Sequence, residues 1–134
     1  MRPTRLVIAA LATAVGGLVL GLGWPAVAHH AVQGQYDVEQ TLSFDGKLTR
    51  IELINPHPQI YFDVSSKGAV TNWRIEAPAI AALRRMGLMR ILKVGDSYKV
   101  EYSPARNGQP IALMRAVVTS DGMRYGGSLQ DVTQ

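Results

Sequence analysis

The chain has 134 residues, enough for one small domain, with no cysteine and a formal charge of +4. Without cysteine there is no disulfide staple and no thiolate nucleophile, so the fold must hold by burial alone. The charge is mild: loss of Arg2 and Arg5 with a cleaved leader takes it from +4 to +2, which argues against a nucleic-acid footprint.

Arg2 and Arg5 open the chain and an uncharged run from Leu6 to Leu22 follows. Ala26-Val27-Ala28 then supplies the small residues of a signal-peptidase site. Residues 1–28 read as a secretory signal peptide; the competing reading is an uncleaved membrane anchor. No twin-arginine pair stands there, so the general secretion route and a periplasmic address are expected.

Residues 29–40 are polar and small, and read as an extended N-terminal arm, with Tyr36 expected to dock it onto the body. Residues 41–125 read as the folded domain. Thr41 to Ile54 is a long strand whose apolar parity switches, with Leu42, Phe44, Gly46 and Leu48 on one face and Ile51 and Leu53 on the other. That switch predicts a β-bulge or sharp bend near Thr49-Arg50, and Gly46 removes a side chain where curvature would crowd it. Asn55-Pro56-His57-Pro58 must be a corner, because neither proline can donate to a ladder. Gln59 to Val64 alternates with Ile60, Phe62 and Val64 inward; Ser65 to Gly68 turns; Val70 to Ala77 returns with Trp73, Ile75 and Ala77 on one face.

Pro78 leads into a helix on which Ile80, Leu83 and Met86 keep helical spacing, with Arg84 and Arg85 on a solvated face and Gly87 as its stop; Leu88 to Val94 is mixed, open to a short continuation of it. Ser97 to Tyr102 alternates again. Asn107-Gly108 marks a hairpin, Ile111 to Thr119 is the last main strand, and a short strand near Met123 to Tyr125 precedes a polar tail, residues 126–134. The order is three strands, a helix, then two strands, with a long bent first strand. It predicts a mainly β fold: a five-stranded OB-like Greek-key barrel with one helix between strands 3 and 4. An open antiparallel sheet carrying one helix is the alternative.

The chemistry is sparse. No Gly-rich phosphate loop follows a strand, and no nucleophile elbow surrounds a serine. Glu52, Asp63, Glu76 and Glu101 fall on outward parities, as solvated charges do. No catalytic constellation is recognisable, so an enzyme is not expected. Three histidines remain. Cleavage after Ala28 would make His29 the first residue, joining an α-amine of pKa near 8 to its own imidazole in one chelate. His30 adds a second imidazole and His57, on the corner, a third. Nitrogen donors without thiolate suit copper(II) first, then zinc or nickel. The metal candidates are therefore His29, His30 and His57. In the competing view the adjacent histidines are only a polar arm, and His57 hydrogen-bonds a turn carbonyl. The protein is then a non-enzymatic module docking an envelope protein through outward Tyr61, Arg74 and Arg115.

An ordered set of motifs carries a resemblance. Ala28-His29-His30, Asn55-Pro56-His57, Tyr61 to Val64, Asn72 to Glu76, Leu92 to Asp96 and Ser103 to Pro110 together resemble the secreted bacterial family catalogued as domain of unknown function 6152. The resemblance implies a signal-bearing, periplasmic small β-domain and supplies no activity to carry over. Pro58-Gln59 stands where that family's small-aromatic pair is expected, and Leu88 where a tryptophan is usual.

Overall fold

The computed structural model describes residues 32–127. Six strands form, β1 (Leu42–Glu52), β2 (Gln59–Ser66), β3 (Ala69–Glu76), β4 (Ser97–Pro104), β5 (Ile111–Val118) and β6 (Arg124–Gly126). Two short helices, α1 (Ile80–Arg85) and α2 (Leu88–Ile91), lie between β3 and β4. The sheet runs β3-β2-β1-β4-β5-β6, and a parallel pairing of β3 with β5 closes the first five strands into a barrel. The mainly β, OB-like Greek-key barrel expected from the strand order is the fold observed.

β1 is long because it serves two neighbours. Its first half pairs with β4, from Leu42 opposite Tyr102 to Lys47 opposite Ser97. Its second half pairs with β2, from Lys47 opposite Asp63 to Glu52 opposite Gln59. The register shifts between Leu48 and Arg50, where the parity of the sequence changes. At the bend a Cβ on Gly46 would lie 2.9 Å from the Phe44 ring and 3.1 Å from Phe62, so only glycine fits without displacing them. Leu42, expected inward, is exposed. It precedes the stretch that β2 covers, and β4 is its only neighbour.

Strand alternation builds the core. Leu48, Ile60, Phe62, Ile75, Val100 and Val117 are fully buried, each worth roughly 1.5–3 kcal/mol of transfer free energy. Phe44, Trp73 and Tyr102 cluster beside Phe62, with ring centroids 5.1–5.9 Å apart.

The expected single helix is two. Gly87 takes a left-handed φ of 79° and breaks the helical run, which resumes at Leu88. Leu83 of α1 and Leu88 of α2 insert fully buried into the barrel core. The arm also differs from expectation: residues 32–35 are helical rather than extended. Tyr36 docks as expected, fully buried against Ala105 and Leu113. Residues 1–31 and 128–134, and with them the signal-peptide reading, His29, His30 and most of the C-terminal tail, lie outside the described residues.

Candidate functional site at the Asn-Pro-His corner

β1 ends at Glu52 and β2 begins at Gln59, so residues 53–58 must reverse the chain. Two prolines and a cis Asn55-Pro56 bond make the turn. Pro58 is buried, and its carbonyl accepts the Ala77 N–H at 2.9 Å, which pins the corner to the end of β3. The Gln59 amide donates to the His57 carbonyl at 3.2 Å. Leu53 and Ile54, on the approach, are about half exposed.

His57 is half-buried at this corner. Its Nδ1 is shielded from solvent and, among the described residues, has no hydrogen-bond partner. A buried ring nitrogen left unpaired costs about 1–3 kcal/mol, so this atom is chemically unsatisfied. It does not bond a turn carbonyl, as the competing view of the sequence had it.

The neighbouring strand leads from the corner to the arm. Gln59 of β2 stands opposite Glu76 of β3. The Glu76 carboxylate accepts the Tyr36 hydroxyl at 2.7 Å, and Gln35 donates to the same hydroxyl at 3.1 Å. Burial, then the hydrogen bond to Glu76 and its charge, hold the Tyr36 phenol well above its ordinary pKa. Around this anchor the arm is tied by main-chain and charged bonds. Asp37 N–H donates to the Pro104 carbonyl at 2.9 Å and Arg106 N–H to the Gln35 carbonyl at 3.0 Å. The Arg106 side chain adds a bond to the Gln33 carbonyl at 3.0 Å. Arg115 donates to the Ser103 hydroxyl at 2.7 Å and to the Val38 carbonyl. Buried Ser103 in turn donates to the Gln40 carbonyl at 3.0 Å.

Two expectations are corrected here. Arg115 is not a free outward residue; it clamps the arm, and its burial lowers the guanidinium pKa. Glu76 is on the outer face by parity but is covered by Tyr36 rather than solvated. Sequence reasoning flagged Tyr36 as a docking residue and missed its partner, because strand period gives a face and not what covers it.

The other outward residues partner one another. Arg50 stacks 3.9 Å above the Tyr61 ring, Tyr61 donates to Glu52 at 3.0 Å, and Asn72 donates to Asp63 at 2.7 Å. Among the described residues no three His, Cys, Asp or Glu side chains converge as a metal cage. His57 is the one candidate metal ligand that the described residues contain; His29 and His30 lie outside them.

The model of a family described as a family of unknown function, DUF6152, matches residues 16–119, which include all of β1 through β5. The chain belongs to that family. No curated protein matches it.

Proposed function

We propose that this DUF6152 member is a periplasmic barrel that binds a transition-metal ion, copper first, through His57 and the histidines of its mature amino end, His29 and His30. Export rests on the charged start, the apolar run and the Ala26-x-Ala28 site in the sequence. The observation that carries the metal reading is the buried His57 Nδ1, which has no partner among the described residues. An imidazole with an unsatisfied nitrogen suits copper(II), zinc or nickel, and the absence of thiolates puts copper first.

The arm supports it further. Tyr36 fixes the arm to Glu76, whose strand partner Gln59 lies two residues from His57. In sequence only Ala31 separates His30 from Val32, where the described arm begins. The metal-binding role is carriage or buffering; the chain's own residues would bind and orient the ion.

The test is calorimetric titration of copper(II) into the mature protein and into His57→Ala and His29→Ala. Binding well below micromolar Kd, weakened in both variants, is expected. Micromolar or weaker binding that neither change affects would remove the reading. A second reading, a metal-free envelope docking module, is favoured by exposed Leu53 and Ile54 beside the corner. It requires that one envelope partner be retained in chelator and lost on Leu53→Ser/Ile54→Ser.

A further inference from the structure

The helical cap between β3 and β4 carries charge that no other described residue matches. From Pro78 to Gly95 the chain has four cations, Arg84, Arg85, Arg90 and Lys93, and no acidic residue. All four are exposed. Among the described residues none of them makes a salt bridge, whereas Arg50, Arg106 and Arg124 each meet a carboxylate.

Gly87 N–H donates to the Arg84 carbonyl and Arg90 N–H to the Gly87 carbonyl, both at 3.1 Å, so the helices meet in one tight turn. Lys93 follows α2, and Val94 beside it is 62% exposed. Met86, Met89, Ile91 and Leu92 are half-buried between the cations and the core.

Cations interleaved with apolar atoms make a surface that can rest on phospholipid headgroups. The long stems lie along apolar surface while the charged ends reach phosphate. We propose that this cap docks the barrel on an anionic lipid bilayer. Single-stranded nucleic acid would call for exposed aromatics to stack bases, and Pro78 to Gly95 contains no aromatic residue.

The experiment is flotation of the full chain with vesicles of equal phosphatidylglycerol and phosphatidylcholine, and with phosphatidylcholine alone. The leader carries Arg2 and Arg5 and would itself favour the anionic vesicles, so the readout is the change in the ratio between each variant and the parent. Each cation near an anionic surface contributes roughly fivefold, so Arg84→Gln/Arg85→Gln and Arg90→Gln/Lys93→Gln should each lower the anionic preference by about twenty-five-fold at low salt. Lys47→Gln/Lys67→Gln, equal in charge but off the cap, should change it far less. Hydrogen exchange provides a local readout: residues 84–94 should be protected by the mixed vesicles and not by phosphatidylcholine. Equal binding to both vesicles without protection of 84–94 would overturn the proposal. So would an equal loss in the Lys47/Lys67 variant, or tighter binding to a single-stranded oligonucleotide than to the mixed vesicles.

Discussion

The arm and the helical cap both cover the barrel and both join burial to polar bonds, but the arm's bonds use charged side chains and the cap's do not. In the arm, Tyr36 is buried against Ala105 and Leu113, and bonds with charged side chains add to it: Tyr36 to Glu76, Arg106 to Gln33 and Asp37, Arg115 to Val38. In the cap Leu83 and Leu88 are fully buried, neither helix has a side-chain cap, and the Tyr98 hydroxyl donates to the Ile91 carbonyl at 2.7 Å and accepts the Lys93 N–H at 2.9 Å. Arg106 and Arg115 at the arm are therefore committed to structure, whereas the cap's cations pair with no carboxylate among the described residues. A basic residue thus has a different meaning in each region, and only its bonds tell which.

Shortening a cap anchor should strike hardest. Leu88→Ala leaves a cavity in the core and should cost about 2–5 kcal/mol in urea unfolding; a loss below 1 kcal/mol would mean the cap is not held by burial. Tyr36→Phe comes next. It removes a hydroxyl bonded to a carboxylate and should cost about 1.5–3 kcal/mol, with faster hydrogen exchange over residues 32–40 before the barrel strands.

The same hydroxyl gives the arm a pH signature. Its pKa is raised in the folded protein, so the unfolded chain loses that proton first, near the ordinary tyrosine value of about 10. Stability should be full below that pH and fall as pH rises through the folded value. Tyr102, raised by burial, and Tyr61 add in the same direction. Urea midpoints measured from neutral to strongly alkaline pH should decline more gently in Tyr36→Phe than in the parent.

Arg106→Ala, at a half-exposed ion pair, should cost up to about 1 kcal/mol. The smallest effect belongs to the cap's surface: Arg84→Gln/Arg85→Gln should change thermal stability by less than about 0.5 kcal/mol. A larger loss there would erase the contrast between the arm's cations and the cap's.

Much of the barrel was legible because its signals are local. Ile60 and Phe62 alternate within one strand, the parity switch in β1 marks its bulge, and Asn107-Gly108 marks the hairpin, with Gly108 at positive φ. The ties of the arm were not legible. Tyr36 and Glu76 are forty residues apart, and nothing in either segment's periodicity names the other. The helix break was half legible: Gly87 was read as a stop, while the renewed turn at Leu88 depends on that side chain reaching the core. At the corner the prolines announced the turn, but only the fold reveals that His57 Nδ1 is shielded and, among the described residues, unpaired.

The most direct test of the metal reading is a nuclear magnetic resonance titration of mature protein with substoichiometric copper(II), following the His57 ring and the amides of residues 32–36. Selective paramagnetic broadening of the His57 ring together with those arm amides is the expected result. Broadening of the arm alone, with the His57 ring signals sharp, would contradict it.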